Sequence, residues 1–258
     1  MLDQTLRRRL SQIARGKSVQ PPPASSHAQD VPQTGEPNAF EFRGVPAANE
    51  FGEFLVRDIG LNEFHPQGAN LASRFQALEA ALECDPGDAL LLDLETTGLC
   101  GVPLFLAGLM RFGGDGFRIT QLFARNYAEE KSVLREAARV TAESRLVVTF
   151  NGNSFDLPYL RDRSAFHLLP FELTQRSLDI LPHARRRWKP ETPDCRLQTL
   201  EWFVCGRRRV GDIPGHLIPE VYHQYVQSGD MTPLLPVFQH NALDLVTTLE
   251  ILLTLFEE

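Results

Sequence analysis

Long apolar runs are missing from this chain. No stretch of about 18 uncharged apolar residues occurs, so no transmembrane helix and no membrane partner are expected. Paired cysteines are missing too. The four cysteines, Cys84, Cys100, Cys195 and Cys205, form no C-x-x-C pair, which argues against a zinc knuckle and for reduced thiols. Positive charge is not in excess. The net charge is −7 and the sequence pI about 5.6, so any nucleic-acid contact must come from a local basic patch. The first residues, MLDQTLRRRLSQIARGK, contain no apolar core segment, which excludes a secretory signal there. A cytoplasmic protein is expected, and no internal repeat is present.

The composition divides the chain into four stretches. Residues 1–17 read as a short basic helix. Residues 18–38 are rich in Pro, Ser, Gln and Gly, carry too little apolar surface to offset chain entropy, and read as a disordered linker. Residues 39–84 read as an N-terminal extension packing on a core, and residues 85–258 as the core domain. Within that domain, residues 88–99 read as a first strand, PLFLAGLMRF as a second, GGDG as a turn and FRITQLFARN as a third. AEEKSVLREAARVTAES reads as an amphipathic helix. RLVVTFNGNSFDLPYLRD reads as a strand running through a loop into a helix. Residues 177–236 should hold short helices broken by Pro and Gly, and apolar spacing from Val237 to Phe256 makes a long terminal helix. This order predicts an α/β fold, a mixed sheet with antiparallel hairpin strands and a parallel return, flanked by helices.

Acids stand at informative places in that order. Asp93 and Glu95 lie at i and i+2 of the first strand, so both side chains share one face while Leu92 and Leu94 occupy the other. Burying such carboxylates without a partner is costly, and hard oxygen ligands suit Mg²⁺ or Mn²⁺. Asp156 follows the Gly-Asn loop at the start of a helix. His240 and Asp244 are four apart on the terminal helix and share a face.

DLETTGL, NGNSFDLPYL and HNALD, in this order, resemble the three motifs of the DEDD exonucleases of the ribonuclease H-like fold. SLDILPHARRRW, CRLQTLE and RRRVGDIPGHLIPEVYHQYVQSGD narrow the resemblance to the YprB-like branch, over roughly residues 85–258. It implies metal-dependent cleavage of phosphodiesters, usually from the 3′ end of single-stranded DNA or RNA, with two divalent cations, Mg²⁺ or Mn²⁺. Carried across by motif, Asp93, Glu95, Asp156 and Asp244 are the metal-binding acids. A helicase partner is in keeping with it. The alternatives are a structure-selective endonuclease, or a non-catalytic nucleic-acid-binding or partner module.

His240 is then the candidate general base or water-orienting group. One subclass of the family carries a histidine five residues before its last acid, and another a tyrosine four before it; this chain has the histidine at the tyrosine spacing. Asn241 is a candidate support for the site. By analogy, Thr96, Thr97, Gly98, Leu99, Asn151, Asn153 and Phe155 would hold the terminal nucleotide. Residues 185–209 carry eight basic residues against three acidic ones, so Arg186, Arg187, Arg207 and Arg208 are candidates for phosphates and Trp188 for stacking on a base.

Overall fold

Residues 89–96 alternate in the way the sequence demands. In the computed structural model, which describes residues 29–30, 44–99 and 101–257, they form the central strand of a sheet. Leu90, Leu92 and Leu94 enter one apolar cluster; Ala89 and Leu91 enter the cluster on the opposite face, where Asp93 and Glu95 extend the row. The structural elements are β1 (Gln29–Asp30), β2 (Val45–Asn49), β3 (Gly52–Gly60), α1 (Leu61–Phe64), α2 (Gly68–Gln76), α3 (Glu79–Leu82), β4 (Ala89–Thr96), β5 (Leu104–Gly113), β6 (Gly116–Phe123), α4 (Glu130–Ala142), β7 (Leu146–Thr149), α5 (Asp156–Phe166), β8 (Arg176–Asp179), α6 (Ile180–Trp188), α7 (Leu197–Phe203), β9 (Arg207–Arg208), α8 (Ile218–Ser228) and α9 (Leu235–Glu257).

Seven strands form one mixed sheet in the order β2-β3-β6-β5-β4-β7-β8. The β2 to β4 side is antiparallel; β4–β7 and β7–β8 are parallel. The parallel strand β7 is buried on both faces and reads as an unbroken apolar run before its final threonine. Helices α4, α5 and α8 cover one face; α1 to α3, α6 and α7 cover the other, and α9 contributes to both clusters. Mixed sheet, hairpin strands and flanking helices agree with the expected α/β fold.

Three features go beyond the sequence reading. Residues 45–60 are a hairpin that widens the sheet through β3 and β6, so this part of the extension is built into the main sheet. Residues 176–179 form an edge strand ahead of α6. Gln29–Asp30, inside the stretch read as a linker, pair in parallel with Arg207–Arg208. The expected helix over residues 1–17 and the rest of the linker lie outside the described residues.

Candidate nuclease site

The sheet centre brings the motif residues together. Asp93 and Glu95 stand near the end of β4, and Asp156 is the first residue of α5. Asp244 and His240 stand on α9, which crosses β4 and β5. Directly after Glu95 the β4–β5 register slips by one residue, with Phe105 extra on β5. A bulge there bends the strand where the acids must be aimed.

Each motif has a protein donor. Asn241 Nδ2 donates to Asp93 Oδ2 at 2.7 Å and approaches the Asp93 carbonyl at 3.3 Å. Behind it, Gln121 Nε2 donates to Asn241 Oδ1 at 2.9 Å and to the Phe238 carbonyl at 2.7 Å, and Arg57 Nη1 donates to Gln121 Oε1 at 3.0 Å. This buried chain fixes which way the Asn241 amide faces. It needs room on β5, opposite Asp93. Gly108 supplies it, since a Cβ there would run into the Asn241 amide. Asp156 accepts the Leu94 N–H at 3.1 Å. Asp179, at the N-terminus of α6, accepts the N–H groups of Asn151 (2.8 Å), Asn153 (3.2 Å) and Leu181 (3.0 Å) and so fixes the loop ahead of Asp156. Asn151 in that loop is left-handed, with φ of 67°.

The fourth acid is held from the β9 loop. Arg209 Nη2 lies 2.6 Å from Asp244 Oδ1, and the same guanidinium reaches Glu201 Oε2 at 2.7 Å and Asp212 Oδ2 at 3.2 Å. His240 Nδ1 is 2.9 Å from Asp212 Oδ1, and its Nε2 is 3.6 Å from Asp244 Oδ2. Asp212 therefore orients the imidazole with Nε2 toward the acids.

The electrostatics follow from burial and crowding. Asp93 is pushed well above the usual carboxylate range by burial, then by Asp244, Glu95 and Asp156. Glu95 is raised well above its range by burial, then by Asp244, Asp156 and Asp212. Burial raises Asp156 to about 7, with Asp179 and Asp244 adding to it, against backbone N–H groups that pull it down. Burial alone would lower His240, but the Asp212 hydrogen bond and the charges of Asp244 and Asp212 outweigh it and raise it. Burial opposes the charged form of Asp212 too, yet His240 and Arg209 hold its pKa below the ordinary value.

Four hard carboxylate donors from three chain segments fit a divalent cation, and their crowded negative charge calls for one. Among the described residues, however, no three His, Cys, Asp or Glu side chains are drawn into a closed ligand cluster. The geometry explains this: Asp93 is turned to Asn241, Asp156 to the Leu94 amide, and Asp244 to Arg209 and His240.

The other expected residues separate. Thr96 and Thr97 are buried at the β4 end, and Thr97 N–H and Oγ1 donate to the Pro103 carbonyl at 2.9 and 3.1 Å. Beyond Gly98, Leu99 is 89% exposed. Leu99 and Phe155 line one cleft of about 310 Å³ with Tyr159 and Phe166. Asn151, Asn153, Arg186 and Arg208 are exposed.

Three expectations are corrected. Trp188 is 1% exposed and packs in the core, so it offers no face to a base. Arg207 is 4% exposed, committed to Glu201 at 3.3 Å and Glu250 at 2.6 Å. Arg187 is buried, with Glu191 3.4 Å away, and does not face a phosphate. Sequence reasoning also missed Gly108, Asp179, Arg209 and Asp212. A lone glycine among large strand residues is a signal for close approach and could have found Gly108.

A family model described as RNase_H superfamily matches residues 90–256, well over half of the chain. The chain belongs to the RNase H superfamily. It is 26% identical over 243 residues to the "Uncharacterized protein YprB" of Bacillus subtilis (strain 168), covering 88% of this chain and 58% of that protein. The chain thus spans little more than half of that relative's length. Among solved structures, a family B DNA polymerase from the hyperthermophilic archaeon Pyrobaculum calidifontis is similar at 18% identity and a TM-score of 0.49, over 63% of this chain and 23% of that one.

Proposed function

We propose that this member of the RNase H superfamily is a metal-dependent 3′–5′ exonuclease of the DEDD type, hydrolysing single-stranded DNA or RNA. The observation that carries the proposal is the convergence of Asp93, Glu95, Asp156 and Asp244 at the sheet centre, where burial and repulsion raise the first three. These acids would hold two divalent cations, Mg²⁺ or Mn²⁺. When bound, two such ions activate water and stabilise the leaving oxygen.

The chain's own groups do the rest. Asn241 holds the Asp93 carboxylate in one orientation. Asp212 holds His240 so that Nε2 is the atom offered to an attacking water, whose proton it takes. Leu99 and Phe155 bracket the terminal nucleotide, while exposed Arg186 and Arg208 neutralise backbone charge. A strand-separating activity would have to supply the single-stranded end, which makes a helicase a fitting partner. We place the protein in the cytoplasm, in keeping with the free thiols of Cys84, Cys195 and Cys205. No helix among the described residues is long and apolar enough to cross a membrane.

Linear and closed-circular single strands of the same sequence, incubated with Mn²⁺, test the mode of attack. The linear substrate should shorten one nucleotide at a time from its 3′ end while circles stay intact. Cleavage of circles would replace this reading with an endonuclease.

A further inference from the structure

The segment that carries Arg209 onto Asp244 also walls a cleft of about 600 Å³ that the sequence reading did not foresee. Gln198, Trp202, Arg208, Arg209, Asp212 and Pro214 line it. Two of the three consecutive arginines are spent inside the protein: Arg207 on Glu201 and Glu250, Arg209 on Glu201, Asp212 and Asp244. Strand alternation turns Arg208 the other way. Its side chain is exposed and makes no ion pair among the described residues. On the same cleft Trp202, from α7, is 38% exposed, in contrast to Trp188 at 1%.

We infer that this cleft is a subsite for single-stranded nucleic acid, in which a base stacks on Trp202 and a phosphate pairs with Arg208. A cation next to an open aromatic face is the pairing that binds single strands without reading sequence. Its floor supports the position. Gln198 Nε2 donates to Asp212 Oδ2 at 2.9 Å, Asp212 holds His240, and Arg209 holds Asp244. Two residues of the cleft lining, Arg209 and Asp212, are thus in contact with Asp244 and His240 of the proposed site. The net charge of −7 makes such a local anion site stand out from the rest of the chain. This inference rests on the nuclease reading for the choice of ligand, and its test does not need turnover.

Trp188 and Trp202 are the only two tryptophans, so intrinsic fluorescence reports on the cleft. Full-length protein in EDTA is titrated with dT12 and with rU12. Emission should be quenched on binding; Trp202→Phe should abolish the quench, and Trp202→Ala, which removes the stacking face, should weaken affinity about tenfold. Arg208→Gln should also weaken binding and reduce the slope of log affinity against log salt by about 0.7. Melting curves of the three variants establish that they fold. Unchanged affinity in folded Trp202→Ala and Arg208→Gln, or a full quench in Trp202→Phe, overturns the subsite. If the wild type shows no Mn²⁺-dependent cleavage while the binding losses appear, the nuclease reading fails and the subsite stands.

Discussion

Gly108 and His65 show how much can rest on one residue. Any side chain at position 108 meets the Asn241 amide, which holds Asp93. Gly108→Ala should therefore cost about 1–3 kcal/mol by overpacking and lower nuclease activity at least tenfold, read by thermal melts and cleavage assays. Wild-type activity at unchanged stability would show that Asn241 does not position Asp93. His65, buried just after α1, is held down to about 4 by burial and by Arg207, so it is neutral in the fold and Glu250, 3.7 Å away, is no true ion-pair partner. The unfolded chain takes up a proton near pH 6.5 and the native one only near 4. Stability from this group is complete above about pH 6.5 and is lost as pH falls toward 4, a span of about 3 kcal/mol. His65→Gln should flatten that part of the pH–stability curve measured by urea unfolding; an equally steep curve would contradict the assignment.

At the scale of elements, the strand–helix alternation was legible because patterning and burial agreed. Leu90, Leu92 and Leu94 face one cluster, and the long apolar period of α9 matches its burial. Position within an element was legible only where a neighbour at the right spacing revealed it. Ile180, Ala184 and Trp188 recur every four residues on α6, which is a core stripe, and that spacing outweighs the arginines beside Trp188. Three consecutive arginines give no such clue. Arg207 and Arg209 turn inward and Arg208 outward only because β9 sets the phase, and residues of identical type cannot report it. The edge strand β8 is short and half polar, so its pairing came from the neighbouring β7 rather than from its own pattern. The elements also transmit predictable costs. Arg209 joins the β9 loop, α7 and α9 through three carboxylates. Arg209→Gln leaves them without their shared cation and should destabilise by about 3–5 kcal/mol in denaturant unfolding, whereas a loss under 1 kcal/mol would deny the linkage. Asp179→Ala removes three N–H acceptor contacts and the start of α6, and should cost about 1–2 kcal/mol and loosen the Asn151 loop, seen as faster amide exchange at Asn151 and Asn153.

Across the whole molecule, the acids were legible as a set because their order along the chain matches a fold that gathers one strand, the start of one helix and the terminal helix. Asn241 was legible as a support, but not that it holds Asp93 in the room left by Gly108, nor that Arg209 restrains Asp244 and Asp212 restrains His240. Those partners come from β5, the β9 loop and α9, far apart in sequence, and only the fold makes them neighbours. If the four carboxylates at the sheet centre work together with divalent cations on phosphodiesters, cleavage of 5′-labelled single-stranded DNA and RNA by wild type and by Asp93→Ala, each with Mn²⁺ and with EDTA, shows it. A ladder of shortened products should form only for wild type with Mn²⁺. Cleavage that persists in Asp93→Ala, or in EDTA, would contradict it.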